Sequence, residues 1–324
     1  MTTTKQQLLT YLEEKPPCLT WATCELCGSQ HLVTIANRDR YGLPVRFVMC
    51  RRCGLVVLNP RWDQEAYVRF YTDYYHPLLL ESGVQIAFDN WQERFQKMVQ
   101  ATALNRVLPP APRVLEIGGG KGDLATYIRE QYQAEVVIVE PNTREAEHAA
   151  ARGFDVHARV FEECHFEASS FDLVVLMRTV DHLIDASLTF KLIQTLLKPG
   201  GKVLLDGVDY FRRMAFRRNA VAPLKIDHCY YFSPETLPAL LQHCGLQPLV
   251  TDLVSIPGQI VVLAQVAEGE PDETIWINGE NRYLEWERLA NRPLPSTQPI
   301  PLARSMRTEL SWLSSKIRSR LNGR

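Results

Sequence analysis

Between residues 113 and 266, short apolar runs alternate with longer amphipathic segments. The runs RVLEI, VVIVE, FDLVVLM and KVLLD have the length and composition of buried strands. Segments between them, such as 121–133 and TREAEHAAARG, have the pattern of helices. This alternation predicts an α/β fold, a Rossmann-like parallel sheet with helices on both faces. The last two runs, LQPLVTDL and QIVVLAQV, follow each other closely and predict an antiparallel pair at the sheet edge.

Helix boundaries can be predicted from proline, glycine and serine positions. The helix in SLTFKLIQTLLKPGG is expected to end at Pro199 and Gly200, and another is expected to begin after Ser233-Pro234 and continue to Gly245. The proline run PPAP stands just before the α/β region and marks a boundary. The chain therefore divides into five predicted segments, namely a leader (1–19), a cysteine-containing module (20–60), a helical and aromatic bridge (61–110), the α/β domain (111–267) and a helical C-terminal extension (268–324).

The end of the chain has one apolar stripe at helical spacing, formed by Leu302, Met306, Leu310, Leu313, Ile317 and Leu321. Basic residues surround this stripe, and the pattern predicts a basic amphipathic helix. Three partners suit such a helix: an anionic membrane surface, its own domain, or a second subunit of an oligomer. The sequence leaves these alternatives open.

Composition narrows the class of protein. The 324 residues include 36 Lys and Arg against 37 Asp and Glu, and the net charge is −1. A nucleic-acid partner is therefore disfavoured, because such proteins usually carry a positive surplus. The sequence has neither a signal-peptide pattern nor an apolar run approaching the roughly 20 residues of a membrane span. We expect a soluble, cytoplasmic protein.

Four of the eight cysteines form two Cys-x-x-Cys hooks, each followed by glycine. The hooks are Cys24 with Cys27 and Cys50 with Cys53. Two hooks supply the four thiolates of a closed tetrahedral site, which is typical of structural zinc. Disulfides fit poorly with an intracellular chain, and the three-cysteine pattern of radical iron–sulfur enzymes is missing. We therefore predict a structural zinc ion.

The segment VLEIGGGKGD, residues 114–123, places glycines directly after a strand. A dinucleotide fingerprint would need glycine where Asp123 stands, and a nucleoside-triphosphate loop would need Ser or Thr after Lys121. The pattern that fits is E-x-G-x-G-x-G, and it resembles motif I of class I S-adenosylmethionine-dependent methyltransferases. The stretch FDLVVLMRTVDHLID…LLKPGGKVLLD resembles the same family from its fourth to its fifth strand.

The resemblance implies an S-adenosylmethionine site. The glycine backbone would hold the methionine part, and Glu140, at the end of the second strand, would bind the ribose hydroxyls. Phe161 or Glu162 would contact the adenine, although the family often has an acidic residue where Val160 and Phe161 stand here. The full set of expected cofactor-binding residues is Glu116, Gly118, Gly119, Gly120, Gly122, Glu140, Pro141, Phe161, Glu162 and Arg178.

The order of segments over residues 20–265 resembles one bacterial subfamily more narrowly. The similar features are the zinc hooks ending in CGLVVLNPR, the aromatic bridge, the methyltransferase core and HCYYFSPETLPALLQHCGL. This subfamily includes C-methyltransferases of nucleotide-linked keto-deoxysugars, so the resemblance implies a small, phosphate-bearing substrate. The part of the chain after residue 267 is shorter than the second lobe of those sugar enzymes.

Three residues are candidates for catalysis. His228 matches the position of the catalytic histidine of the resembling sugar enzymes, and histidine titrates in the range useful for a general base. His182 follows the fourth strand on the side where ligands bind. Tyr230, with its neighbour Tyr231, is a candidate for lining the pocket, and simple packing is the alternative for both.

Four arginines lie on a predicted lid and could bind phosphate or an RNA backbone; they are Arg212, Arg213, Arg217 and Arg218. A solvent-exposed helix face is the alternative explanation of this cluster. We expect methyl transfer to a small metabolite. Two alternative functions remain, namely methylation of RNA and a non-catalytic role as an S-adenosylmethionine-binding scaffold subunit.

Overall fold

The computed structural model describes residues 3–81, 91–217, 219–268 and 277–291. Among these described residues, the N-terminal part contains four helices and five short strands. The helices are α1 (Thr4–Glu14), α2 (Gln64–Arg69), α3 (Tyr75–Glu81) and α4 (Trp91–Thr102), with a wide helical turn at Phe70–Tyr74 and a tight turn at Leu104–Arg106. The strands are β1 (Leu19–Thr20), β2 (Leu32–Ala36), β3 (Phe47–Cys50), β4 (Val56–Leu58) and β5 (Arg61–Trp62).

Strands and helices then alternate, as the hydrophobic pattern predicts. The strands are β6 (Arg113–Ile117), β7 (Glu135–Val139), β8 (Asp155–His157), β9 (Phe171–Leu176), β10 (Leu197–Val208), β11 (Tyr230–Tyr231), β12 (Leu246–Asp252) and β13 (Gln259–Val266). The helices are α5 (Asp123–Tyr132), α6 (Thr143–Ala151), α7 (Ala186–Leu196), α8 (Tyr210–Arg217), α9 (Thr236–His243) and α10 (Gly279–Ala290), with tight turns at Phe161–Glu163 and Val180–His182.

Seven of these strands form one sheet in the order β12-β13-β10-β9-β6-β7-β8. Strands β6 to β10 pair in parallel, and β13 lies antiparallel between β10 and β12. Two buried clusters pack on the sheet and include alternate residues of the same strands, for example Leu115 in one cluster and Val114 in the other. The fold is therefore the predicted Rossmann-like methyltransferase sheet with helices on both faces. The antiparallel edge pair is also confirmed.

A second sheet joins the N-terminal module to the α/β domain. Its order is β11-β4-β3-β2, and β11 pairs antiparallel with β4 through Tyr230 with Val57 and Tyr231 with Val56. One continuous buried cluster contains residues of both parts, including Phe47 and Tyr231, whose ring centroids are 5.7 Å apart. The cysteine module and the α/β domain therefore share a core.

Several boundaries differ from the sequence predictions. Helix α7 ends at Leu196, and the Lys-Pro-Gly-Gly segment lies within β10, where the pairing with β9 shifts register between Leu197 and Lys202. Helix α9 begins at Thr236, and the Ser233 hydroxyl accepts a hydrogen bond from the Thr236 N–H at 3.2 Å. The N-cap residue is Glu235 and not the predicted serine, and the helix begins later and ends earlier than its sequence pattern indicates.

The predicted leader and the predicted C-terminal extension each contain one helix within the described residues. Helix α1 has a capping box at Thr3 and buries Leu8, while α10 packs against α8. The stripe from Leu302 to Leu321 lies outside the described residues. The three alternative partners of the predicted tail helix therefore stay predictions. None of the helices within the described ranges is long and apolar enough to cross a membrane.

Candidate functional site

The glycine loop connects β6 to α5 at the carboxyl end of the sheet. The Gly118 N–H donates to the Val139 carbonyl at 2.8 Å, which fixes the loop beside the end of β7. Gly118 and Gly122 both have a φ of +77°, a conformation that favours glycine. At Gly119 a Cβ atom would lie 2.7 Å from Cγ2 of Ile138. The sequence pattern is therefore explained by a backbone that has no room for side chains.

Glu140 is the first residue after β7, and its carboxylate is held by this loop. Oε2 accepts a hydrogen bond from the Gly120 N–H at 2.9 Å, and Oε1 accepts one from the Asn142 N–H at 2.8 Å. Each oxygen keeps a second lone pair for a further donor. Burial raises the pKa of Glu140 to about 7. The expected ribose-binding residue thus lies in direct contact with the glycine loop.

Glu116 is a buried carboxylate on β6, beneath the loop. Its Oε2 atom finds no hydrogen-bond partner among the described residues, and a Cβ at Gly119 would lie 3.2 Å from its Cδ. Burial, with the charge of Glu140, raises the pKa of Glu116 to about 8. Unpartnered buried polar atoms are rare in folded proteins, so this oxygen is available to form a hydrogen bond with a bound group.

The turn after β9 brings His182 to the same edge of the sheet. A Cβ at Gly118 would lie 2.5 Å from Oγ1 of Thr179, so this turn is packed directly on the loop. The His182 N–H donates to the Thr179 carbonyl at 2.9 Å. His182 therefore lies one tight turn from the glycine loop, as its place after the fourth strand of the domain predicts.

His182 and His228 form a buried pair. Their ring centroids are 4.4 Å apart at an interplanar angle of 73°, and Nδ1 of His182 lies 3.6 Å from Oδ2 of Asp227. The ligand atoms of these three residues lie within 4.8 Å of one another, which would suit a metal. The Lys225 ammonium, however, lies 2.8 Å from Oδ2 of Asp227 and already provides the positive charge that this carboxylate needs.

The electrostatic environment keeps both histidines neutral. Burial, together with the positive charge of Lys225, lowers the pKa of His182 to about 3 and that of His228 well below its usual range. Burial raises the pKa of Asp227, but Lys225 and His182 lower it by more, so the pKa of Asp227 lies below its usual value. Neutral imidazoles are the form that can accept a proton.

Tyr71 and Lys225 are site residues that the sequence analysis did not select. The Tyr71 hydroxyl lies 2.7 Å from Nδ1 of His182, and the Tyr71 carbonyl accepts a hydrogen bond from Nδ2 of Asn142 at 3.5 Å. Tyr71 therefore connects the Glu140 side of the site with the histidine pair. The tyrosines of the bridge at positions 67, 71 and 75 have helical spacing, and this was the signal available in the sequence.

Tyr230 does not join the histidine pair. Its hydroxyl receives a hydrogen bond from Nη1 of Arg61 at 2.8 Å and also contacts the Glu25 carboxylate. Neighbouring residues of a strand point to opposite faces, and Tyr231 is the residue whose ring lies 5.6 Å from that of His228. The Tyr230 side chain therefore connects β11 to the cysteine module, which differs from its expected place in the pocket.

The remaining expected cofactor residues differ in burial and in their contacts. Phe161 is buried in the core, and the Glu162 carboxylate receives a hydrogen bond from the Thr189 hydroxyl. Pro141 is half-buried. Arg178 is exposed with a φ of +57°, and its guanidinium lies 5.4 Å from the centre of the Trp91 ring. Their contacts with a bound nucleoside stay predictions.

The four cysteines of the hooks converge as the spacing predicts. Their sulfur atoms lie within 4.8 Å of one another, with Cys24 3.4 Å from Cys53 and Cys27 3.5 Å from Cys50. A tetrahedral zinc site with Zn–S bonds of about 2.3 Å has S···S separations of about 3.8 Å. The donor set and its spacing therefore fit a zinc ion.

Two of the four arginines that could bind phosphate contact backbone carbonyls of the α/β domain. Arg212 Nη1 donates to the Leu253 carbonyl at 2.6 Å, and Arg213 Nε lies 3.4 Å from the Gly258 carbonyl oxygen. Arg217 lies at the end of α8, and Arg218 lies outside the described residues. Arg212 and Arg213 hold the connection between β12 and β13.

Comparison with known proteins places the chain in a family. A family model described as a methyltransferase domain matches residues 89–251, half of the chain. Among curated proteins, the chain is 31% identical over 156 residues to the ubiquinone biosynthesis O-methyltransferase of Xanthomonas axonopodis pv. citri (strain 306), covering 44% of this chain and 65% of that protein. It is 32% identical over 111 residues to phosphoethanolamine N-methyltransferase 1 of Arabidopsis thaliana, covering 32% of this chain and 22% of that protein.

The chain spans less than two thirds of the length of each of these curated relatives. Among solved structures it is similar to an S-adenosylmethionine-dependent methyltransferase from Mesorhizobium loti, with a TM-score of 0.43 and 16% identity, over 50% of this chain and 95% of that one. From the family match and the sheet order, the chain belongs to the methyltransferase domain family, within the class I S-adenosylmethionine-dependent methyltransferases.

Proposed function

We propose that this protein transfers the methyl group of S-adenosylmethionine to a small molecule. The observation that carries the proposal is the double hydrogen bond that fixes the Glu140 carboxylate to the backbone of Gly120 and Asn142. In this geometry the two carboxylate oxygens can each accept a ribose hydroxyl. The histidine pair lies one turn from the same loop, and its imidazole rings could accept a proton from the methyl acceptor.

The residues of the glycine loop would hold the methyl donor. Gly118, Gly119, Gly120 and Gly122 offer backbone without side chains, and the unpartnered oxygen of Glu116 can form a hydrogen bond near the loop. When bound, S-adenosylmethionine supplies an activated methyl group on a sulfonium. The chief contribution of the protein is then to align the acceptor with that methyl group at near-attack distance.

His228 would take a proton from the acceptor. Nδ1 of His228 is buried and has no hydrogen-bond partner in the described part of the chain, whereas Nδ1 of His182 is held by Tyr71. His228 is therefore the better candidate for the general base, and His182 would position it through ring contact. Tyr230 has a structural role in this proposal, because its hydroxyl is engaged by Arg61 and Glu25.

The acceptor class is the finer part of the proposal. Both curated relatives bear the names of small-molecule methyltransferases, and the order of segments resembles enzymes of nucleotide-linked keto-deoxysugars. We therefore favour a nucleotide-linked sugar or a carrier-bound intermediate over RNA, since the net charge of −1 offers no positive surplus for an RNA backbone.

A structural zinc ion belongs to the proposal as well. Cys24, Cys27, Cys50 and Cys53 would bind it with no open coordination position, so it would stabilise the N-terminal sheet and take no part in the transfer. Helix α10 packs on this site, because a Cβ at Gly279 would lie 2.6 Å from the Cys53 nitrogen.

Calorimetry with S-adenosylmethionine tests the donor site. We expect binding by the full chain and a loss of at least about tenfold for Glu140→Gln, because a neutral amide is a weaker acceptor for two hydroxyls. Glu135→Gln, at the exposed opposite end of β7, is the matched control and should bind like the native protein. The absence of binding by the native chain would refute the methyltransferase function. Binding without turnover across a panel of metabolites would instead favour the scaffold alternative.

A further inference from the structure

The loop between β2 and β3 of the cysteine module packs on the segment that leads to the histidine pair. The Arg40 N–H donates to the Leu224 carbonyl at 2.9 Å. The buried Asp39 carboxylate accepts the Ile226 N–H at 3.1 Å and, through its other oxygen, the Tyr41 N–H at 2.9 Å. The backbone of Tyr41 is therefore fixed beside the histidine site, although Tyr41 belongs to the cysteine module.

The Tyr41 hydroxyl is buried and has no hydrogen-bond partner among the described residues. Burial raises the pKa of Tyr41 to about 12, and the charge of Asp227 acts in the same direction, whereas Arg40 opposes it. Burial also raises the pKa of Tyr75, and Asp227 and Tyr41 raise it further. Because such effects weaken with distance, Tyr41, Tyr75 and Asp227 lie near one another. The Tyr41 hydroxyl stays protonated at neutral pH and can donate a hydrogen bond.

Two further buried polar atoms at this place lack a partner within the described structure. They are Oδ1 of Asp227 and Nδ1 of His228, on side chains of residues that are 0% and 6% exposed. Oδ2 of Asp227, in contrast, lies 2.8 Å from the Lys225 ammonium. Folded proteins contain few such atoms, because each one left unpaired costs free energy. A bound molecule that supplied the missing partners would remove this cost.

The Tyr41 side chain is held in one position. Its ring is half-buried, and the Arg40 guanidinium lies 5.2 Å from the ring centre. The Leu43 N–H donates to Oδ1 of Asp39 at 2.9 Å, so the same carboxylate closes the loop on both sides of Tyr41. A donor fixed in this way discriminates between ligands, because it cannot turn to meet a partner that lies elsewhere.

The unpaired atoms define what they can bind. A carboxylate oxygen only accepts hydrogen bonds, whereas a phenol hydroxyl can donate one. A hydroxyl group of a ligand can accept from Tyr41 and donate to Asp227, and a carbonyl oxygen can accept from Tyr41. An apolar substituent would leave all of these atoms unpaired and buried, which is costly.

We propose that Tyr41 is a specificity-determining residue of the acceptor site, whose hydroxyl donates a hydrogen bond to an oxygen substituent of the acceptor. The cysteine module then forms one wall of this site, in addition to its structural role. Where the substituent is a hydroxyl, Oδ1 of Asp227 accepts its proton in a hydrogen bond. This inference rests on the proposed methyl transfer and adds a contact that holds the acceptor without taking part in the proton transfer to His228.

Two small ring ethers test the inference on the full chain loaded with S-adenosylhomocysteine. The probes are tetrahydropyran-4-ol and tetrahydropyran, which differ by one hydroxyl group, and their affinities are measured by NMR titration. We expect the alcohol to bind at least about fivefold more tightly, the contribution of one hydrogen bond. Binding of S-adenosylhomocysteine is measured first by calorimetry. Its absence would refute the proposed function and this inference with it, whereas the outcomes below bear on the inference alone.

Tyr41→Phe removes the hydroxyl and keeps the ring. We expect this variant to lose the preference for the alcohol and to bind S-adenosylhomocysteine like the native chain. Its thermal midpoint should not fall, because the hydroxyl that it lacks makes no hydrogen bond in the described structure. Tyr11→Phe on α1 is the matched control, since a guanidinium, that of Arg69, likewise lies 5.4 Å from the centre of its ring.

Labelling the tyrosines with ¹³C at Cζ gives a readout that a purely structural role would not change. The resonance missing from the Tyr41→Phe spectrum belongs to Tyr41, and it should shift with the alcohol but not with the ether. The inference is wrong if the native chain binds both probes alike, if Tyr41→Phe keeps the preference, or if the Tyr41 resonance does not respond to the alcohol.

Discussion

Nδ1 of His182 lies 2.7 Å from the hydroxyl of Tyr71, a residue 111 positions earlier in the chain. This contact joins the helical bridge to the turn after β9, and it occupies one ring nitrogen of His182. The ring centroids of His228 and His182 are 4.4 Å apart. Nδ1 of His228 has no hydrogen-bond partner among the described residues. In the proposed transfer the two histidines therefore have different roles, one positioned by hydrogen bonding and one available for proton transfer.

The first prediction concerns His228. Replacement by alanine should lower kcat by about 10²- to 10⁴-fold, the usual contribution of a general base, and leave S-adenosylmethionine affinity unchanged. Turnover and calorimetry measured on the same preparation check this. His243→Ala, at the end of α9, is the control. A loss of only a few-fold would indicate that alignment, and not proton transfer, limits the rate.

The second prediction concerns Tyr71 as a positioning residue. Tyr71→Phe removes the hydroxyl at His182, and we expect kcat to fall about fivefold, the value of one hydrogen bond near 1 kcal/mol. KM for the acceptor and the affinity for the donor should change little. Tyr74→Phe, on a ring that packs against Tyr11 at 5.7 Å, is the matched control. A fall in the thermal midpoint without a change in kcat would point to a purely structural role.

The third prediction is a pH dependence of donor binding. Burial raises the pKa of Glu140 to about 7, so below that pH the carboxyl is protonated and cannot accept two ribose hydroxyls. The Kd for S-adenosylmethionine should therefore rise as the pH falls below about 7, by up to about tenfold per pH unit, and level off above it. Calorimetry from pH 5.5 to 8 measures this. A Kd that is flat for the native chain, or equally steep for Glu140→Gln, would contradict the assignment.

The glycine loop and Glu140 could be predicted from sequence because they are local. They lie within 25 residues of one another in a single strand–loop–helix–strand unit. Folding of this unit alone brings the loop and Glu140 together. The cysteine hooks are similarly self-contained. In both cases the spacing along the chain already determines which atoms can meet.

The remainder of the site depends on contacts between distant segments. Tyr71, His182 and Lys225 come from the bridge, the turn after β9 and the segment before β11, and nothing in their spacing indicates that they meet. Tyr230 and Tyr231 were both candidates for lining the pocket, and the sequence could not separate them because the face that each residue presents is set by the pairing of β11 with β4. The contact of Arg212 with the Leu253 carbonyl likewise joins distant segments and has no signal in the sequence.

The last prediction connects the proposed zinc site to the histidine pair. Cys53→Ser removes one ligand of the metal, and chelation removes the metal itself. Either change disturbs a site that holds the end of β3. Strand β3 pairs with β4, and β4 pairs with β11. Tyr231 of β11 packs on His228, so disturbing the N-terminal sheet should lower kcat by at least about tenfold and lower the thermal midpoint. Donor binding should persist, because the glycine loop and Glu140 belong to the other sheet. Bound zinc is measured by elemental analysis beside turnover and calorimetry, with Cys164→Ser as the control outside the hooks. Full turnover of a zinc-free chain would contradict this connection, and it would leave the shared core around Phe47 and Tyr231 as sufficient support for β11.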